Sequence, residues 1–293
     1  MIMAGIQEKI STSLNNKGFK ITTIINLSLL MLMALFALLP FFFMLVSSFK
    51  PGAEIIKNGI NTKIQFDIMS FDNYLTLFKE NSGIYLHWYK NSVIITGIHT
   101  ILSVFLCSLV GYGLAMYEFK GKNLLFVLVL VLLMVPIEIL ILPLYRLSVS
   151  LRIIDTYAGV ILPFVVSPVA VFFFRQFAVG LPKELLDAGR IDGCSEYGIF
   201  FRIMMPLMKP AFGAMIILQA MFSWNAFVWP LIVLRTNTNF TLPIGLASLI
   251  TPYGNSYDML FSGAVVSVIP IIIVFLFNQK SFISGLTVGG VKG

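Results

Sequence analysis

The chain has 293 residues, of which 58% are apolar and only 11% charged, with a formal net charge of +7. A soluble domain of this length carries far more polar surface, so a water-soluble enzyme or binding module is excluded. The basic residues are scattered through connecting segments and form no basic domain, which excludes a nucleic-acid reader and points to membrane topology.

Six nearly uncharged runs, about 21–46, 92–117, 123–145, 157–177, 211–234 and 259–279, are each able to cross a hydrocarbon core that takes roughly 20 helical residues. They are apolar on every side, and within lipid only a helix satisfies the whole backbone of such an isolated run. The expected fold class is all-α: a polytopic membrane protein with six transmembrane helices forming one domain over 21–279. It is preceded by an arm at 1–20 and followed by a tail at 280–293. The first run is too long for a cleavable signal and lacks a small-residue cleavage pattern, so it reads as a retained span. With both termini inside, twelve Lys or Arg lie on inner segments and eight on outer ones, which places the termini in the cytoplasm. Cys107 in a span and Cys194 in an inner loop offer no disulfide framework.

Residues 1–20 are polar and basic, ending at Lys17, Gly18, Phe19 and Lys20, an interfacial lead-in or a disordered arm. The outer segment from Ser47 to Asn91 mixes charges with Phe66, Phe71, Tyr74, Phe78, Trp88 and Tyr89 and is too short for a domain, so small helices on the outer face are expected. Gly111 and Gly113 near the end of the second span permit close helix approach. Gly121 can stop the helix after it. The third span is interrupted by Pro136 and Pro143 with Glu138 between them, and an acid at membrane depth either lines an aqueous path or has a structural partner. Pro163, Ser167 and Pro168 break the fourth span.

The fifth span has the most polar interior. Gln219, Phe222 and Ala226 share one face at helical spacing, Asn225 and Trp229 a neighbouring one, and Trp224 lies between. Aromatic faces with amide groups suit a sugar path, and equally an aromatic belt with interhelical hydrogen bonds. The next outer segment ends in a TPYGNS turn carrying Tyr253, Gly254 and Asn255. The sixth span carries Pro270 as its one break, and the tail with Gly285, Gly289 and Gly290 has the composition of a disordered segment.

The stretch Leu181 to Pro210 concentrates charge between two apolar spans. Pro182 suits the first position of a helix and Gly193 the left-handed residue after its end, leaving about ten residues, or roughly 15 Å. Lys183 with Asp187, and Asp187 with Arg190, are neighbours on that helix, and Ala188 and Gly189 leave part of it bare. A small bare-backed helix is shaped to enter a groove, although an amphipathic loop helix has the same pattern. A second segment, EYGIFFRIMMPLMK, would complete an L-shaped hairpin under the membrane.

Chemistry is missing from the chain. No G-x-x-x-x-G-K-[ST] loop occurs, His87 and His99 stand without metal-ligand neighbours, and no nucleophile motif is present, so neither a metal nor a cofactor is expected here. Work against a gradient would need a partner. A secondary transporter or channel would need ionisable residues deep in several spans, where only Glu138 qualifies. A membrane-embedded enzyme would need a paired acid or histidine constellation, which is not there.

The segment DAGRIDGCSEYGIFFRIMMP resembles the EAA loop of membrane subunits of binding-protein-dependent ABC importers, with Asp187, Ala188, Gly189, Gly193, Ile203, Met205 and Pro206 on the pattern positions. From about Val93 onward the chain resembles the smaller membrane subunit of the maltose-type carbohydrate group. Asp187 replaces Glu, Gly189 the second Ala and Met205 Leu, while Ala226 stands where relatives often carry an acid. The resemblance implies a half-channel for a carbohydrate, paired with a second homologous permease subunit. It also implies two copies of a cytoplasmic ATPase that hold ATP and Mg, and an extracytoplasmic sugar-binding protein. By the same resemblance, Glu184, Asp187, Ala188, Gly189, Arg190, Asp192, Gly193, Ile203 and Pro206 would couple to the ATPase, and Gly285, Gly289 and Gly290 would touch it from the tail. Tyr253, Gly254 and Asn255 would meet the binding protein. The substrate path would draw on Glu138, Gln219, Trp224, Asn225 and Trp229.

Overall fold

A computed structural model describes residues 17–59, 63–251 and 254–287. Three helices are long and apolar enough to cross a membrane alone: α1 (Lys17–Ser48), α4 (Ile84–Met116) and the last helix, α15 (Tyr257–Thr287). Three bent pairs complete the set, and counting each as one span gives six. The first pair, α5 (Lys122–Leu133) and α6 (Ile137–Ser150), turns through 105°. The second joins α7 (Tyr157–Ile161), with its 3-10 extension, to α8 (Pro168–Val179) at 45°.

The third pair is the second arm of the 181–210 hairpin and the helix that follows it. The arm comprises α10 (Glu196–Ile199), a π turn at Phe200–Met204 and α11 (Met205–Leu207). It meets α12 (Lys209–Trp224) at 80°. The hairpin's first arm is α9 (Glu184–Ile191). Short helices α2 (Gly52–Asn58), α3 (Asp72–Lys79), α13 (Val228–Val233) and α14 (Leu242–Ser248) occupy the connections. The two-residue strands Ile250–Thr251 and Gly254–Asn255 pair antiparallel and are the only strands among the described residues.

Not every proline acts as expected. Pro136 becomes the N-cap of α6 and marks the sharp bend, whereas Pro143 and Pro270 are absorbed inside continuous helices. The fifth span is not one helix. α12 stops at Trp224, and the carbonyl of Met221 takes both the backbone N–H of Asn225 (3.1 Å) and its side-chain amide (2.9 Å), which ends the helix on the asparagine. The second span starts at Ile84, so Tyr85 and Trp88 belong to a buried helix and not to an outer loop. The last helix runs into the expected tail as far as Thr287, with Gly285 inside it. Gly289, Gly290 and the arm at 1–16 lie outside the described residues.

The long helix α4 is the axis of the molecule, packed against α8 and α12, while α15 packs on α12 and α1. Gly111 sets the α4–α8 distance, since a Cβ there would stand 2.6 Å from Cβ of Phe174 and 2.8 Å from the backbone N of Arg175. Gly113 faces open space, so only one of the two glycines serves packing. At its first turns α4 fastens the 235–242 connection. Trp88 Nε1 donates to the Asn237 carbonyl (3.0 Å), Asn91 Nδ2 to the carbonyls of Thr238 and Phe240 (2.8 and 2.9 Å), and Ser92 Oγ accepts from Leu242 N–H (2.7 Å). Asp155, at φ +59°, accepts the N–H groups of Arg235 and Thr236 (2.9 and 3.2 Å) and holds the other side of the same connection.

Candidate functional site

Two places concentrate the residues that the sequence singles out, the 181–210 hairpin and a cleft lined from several helices. In the hairpin Gly193 adopts φ +76°, the left-handed conformation that lets the chain turn from α9 to α10. Ser195 then caps α10 by accepting Gly198 N–H at 3.1 Å. Gly189 is buried and not presented as a bare back. Its Cβ position lies 2.9 Å from Ile199 and from Ile203, so the missing side chain lets the two arms close on each other. The signal was present in Leu186 and Gly189, three apart on one apolar face. The solvent side of the hairpin carries Glu184, Asp187, Ala188, Asp192 and Pro206, together with two large apolar residues that sequence reasoning passed over, Ile191 (86% exposed) and Tyr197 (76%). Pro182 falls before the N-cap, Lys183, and does not open the helix.

Arg190 pairs with Asp187 on its own arm (3.2 Å) and crosses to Glu196 on the second arm (2.8 Å), which locks the two arms together. Glu196 also accepts the Tyr117 hydroxyl at 2.5 Å, and its carboxyl is held below the usual range by Arg190 first and Tyr117 second. Lys183 does not meet Asp187; its ammonium donates to Glu118 at 3.4 Å, and Glu118 pairs as well with Lys122 at 3.0 Å. Those two lysines, Lys122 foremost, hold the Glu118 carboxyl down too. Beneath this layer, Leu186, Ile199, Phe200, Met204 and Met208 share one apolar core with Tyr112 and Met116 of α4 and Phe174 of α8. The hairpin is therefore built into the helix bundle.

The cleft, of about 360 Å³, is walled by α4, α6, α7, α12 and α13. Asn225 and Trp229 both line it, though the helix break between them means that they arrive from separate segments and not from one helical face. An aromatic row follows the wall. His99 and Phe222 lie 6.0 Å apart, Phe222 and Phe164 6.3 Å, and Phe164 and Trp229 5.7 Å between ring centres. Trp229 is fixed by its Nε1–H to the Gly159 carbonyl at 3.0 Å. His99, buried on α4 with Nε2 3.3 Å from the Phe164 carbonyl, and Phe164 were not among the expected site residues; Ile95 and His99, four apart on α4, mark the face turned to the cleft.

The other expected path residues lie elsewhere. Trp224 lines a different cleft and donates to the Ser267 carbonyl at 3.2 Å, a tie between α12 and α15. Gln219 is buried outside the cleft with Oε1 unbonded. Glu138 stands exposed in the first turn of α6, beside but not among the lining residues. Gly254 and Asn255 form the second short strand, and Tyr253 lies outside the described residues.

Residues 103–287 match the family model of the binding-protein-dependent transport system inner membrane component. The chain belongs to that family. It is 60% identical over 263 residues to the arabinooligosaccharides transport system permease protein AraQ of Bacillus subtilis (strain 168), covering 90% of this chain and 93% of that one. It is 32% identical over 273 residues to the lactose transport system permease protein LacG of Rhizobium radiobacter, covering 93% and 97%. A crystal structure of a bacterial ABC transporter involved in the import of the acidic polysaccharide alginate superposes with a TM-score of 0.77 at 22% identity, over 91% of this chain and 98% of that chain, which shows a shared fold. The protein is thus a membrane permease subunit, and membership of its family implies an ATPase and a binding protein as partners.

Proposed function

We propose that this permease forms half of the translocation path of an ATP-driven oligosaccharide importer, with a second homologous permease subunit as the other half. The 60% and 54% identity to two arabinooligosaccharide permeases makes arabinooligosaccharides the leading substrate, delivered by an extracytoplasmic binding protein. Both termini and the 181–210 hairpin face the cytoplasm, where two copies of an ATPase hold ATP and Mg. The observation that carries the reading is the shared core of hairpin, α4 and α8. A hairpin built into the bundle passes a rigid displacement to the walls of the cleft, where a flexible loop would absorb it. When ATP draws the two ATPase subunits together, the docked hairpin moves inward and the cleft turns outward. The exposed face of Asp187, Ala188, Ile191 and Tyr197 docks on the ATPase, the tail glycines extend that contact, and the 250–255 connection meets the binding protein. Asn225 and Trp229 hold sugar against the aromatic row.

The test is the complete complex in vesicles. Asp187→Lys inverts an exposed charge of the docking face without touching the buried core. Removing one partner of such an interfacial pair typically costs about 2–5 kcal/mol, enough to lower ATPase retention more than 10-fold. Normal co-purification together with normal arabinooligosaccharide uptake would remove the hairpin from the coupling role.

A further inference from the structure

The hairpin is joined by the peptide chain to two helices only: α8 through residues 180–183, and α12 through Met208. The axis helix α4 ends at Met116, far away in sequence, yet it supplies Ile95 and His99 to the cleft and fastens the outer connection through Trp88, Asn91 and Ser92. Any displacement of the hairpin that reaches α4 directly must cross side-chain contacts. Those contacts gather in one place. Tyr117, the C-cap of α4, donates its hydroxyl to Glu196 on the second arm. Glu118, the next residue, receives Lys183 at the foot of the first arm. Behind them Tyr112 packs edge-on against Tyr117 (ring centres 5.5 Å) and tilted against Phe200 (5.1 Å).

We infer that Tyr117 and Glu118 form a two-point clasp that ties α4 to both arms of the hairpin, so that ATP-driven hairpin movement is passed along α4 to the cleft wall and to the outer 235–242 connection. The inference rests on the coupling role proposed above. Tyr117 and Glu118 are positioning residues, since neither lines the cleft nor lies on the exposed face of the hairpin. The geometry favours a clasp over an incidental surface pair because the two contacts grip opposite arms. A single exposed ion pair would contribute little. Here Arg190 holds Glu196 in place from the other side, so the Tyr117 hydroxyl meets a fixed acceptor.

The experiment places an environment-sensitive fluorophore on Thr238→Cys, an exposed position of the outer connection, in a Cys194→Ser background of the full complex. ATP should change the signal in this parent. Tyr117→Phe/Glu118→Gln should keep the ATPase bound at the parent level while reducing both the ATP-driven signal and the sugar moved per ATP by about 5-fold or more, the scale of ordinary intersite coupling. Tyr117→Phe alone, which keeps the ring packing, should show part of the loss, and Lys183→Arg, which keeps the charge, should show none. An undiminished signal and uptake in the double variant would overturn the clasp. Loss of the ATPase from that variant would overturn it as well, because the residues would then shape docking and not transmission. A parent complex that holds no ATPase would instead bring down the coupling role itself, and the clasp with it.

Discussion

At the residue scale, the glycines separate into those that turn the chain and those that give room, and only the structure tells them apart. Gly193 turns it, at φ +76° with open space where a Cβ would stand. Gly245 gives room: a Cβ there would sit 2.0 Å from the Trp88 ring, which its own hydrogen bonds to Asn237 prevent from moving aside. Gly245→Ala should therefore overpack the Trp88 end of the bundle and cost about 1–3 kcal/mol or more. Thermal unfolding in detergent would register it as a lowered midpoint, and an unchanged midpoint would mean that the indole has another place to go. Sequence alone could nominate Gly193, which follows a helix and precedes a capping serine. It could not nominate Gly245, whose partner lies more than 150 residues away.

At the element scale, the hairpin combines an apolar seam with a polar outer layer, and the two respond differently to acid. The seam, Gly189 against Ile199 and Ile203, carries no titrating group. The polar layer depends on Glu118 and Glu196, both held below the ordinary carboxylate range by their cationic and hydroxyl partners. A carboxyl whose folded pKa is depressed stabilises fully above its unfolded value, about 4.3 for Glu, and loses that contribution as pH falls through the folded value. The hairpin should thus be indifferent to pH between about 5 and 8 and loosen only below about 4. Amide exchange across α9 and α10, corrected for its intrinsic pH dependence, measures this. Loosening that began near neutral pH would mean that some other group governs the hairpin. The pattern of this element was legible because an i, i+3 pair of acid and base and a turn glycine are local signals. The Lys183–Glu118 contact was not, because a lysine with two acids in reach gives no sign in sequence of which one it takes.

At the scale of the whole molecule, hydropathy located the apolar runs that become three long helices and the bent pairs, since uniform apolarity survives a local bend, although the third pair joins 196–207 to 209–224 and does not follow the expected 211–234 run. The bends were marked only in part: Pro136 stands at the first and Ser167 with Pro168 at the second, as expected. Pro136 breaks its span and Pro143 does not, and no local sequence feature separates them; the carbonyls freed by a proline are satisfied or not by neighbours that only the fold supplies. Asn225, which no pattern marks as a helix terminator, ends α12 through its own side chain. The contact that unites the bundle is the crossing of α4 and α8 at Gly111, beside the Tyr112 that packs on the hairpin. A Cβ there meets Phe174 Cβ at 2.6 Å, Arg175 N at 2.8 Å and the Val171 carbonyl at 2.9 Å, two of them backbone atoms that no rotamer change can move. Gly111→Ala must push the two helices apart and open the core that joins the hairpin to them both. The expected cost is about 1–3 kcal/mol. The variant should still insert, because its apolar runs are intact. It should unfold in detergent at a lower temperature than Gly113→Ala, which enters open space and should match the parent. In vesicles the Gly111 variant should also hydrolyse ATP with less sugar moved per turnover, because an α4 pushed off the core it shares with α8 and the hairpin no longer moves the cleft wall with them. Equal unfolding midpoints for the two alanine variants would show that the crossing at Gly111 is not what holds α4 to α8.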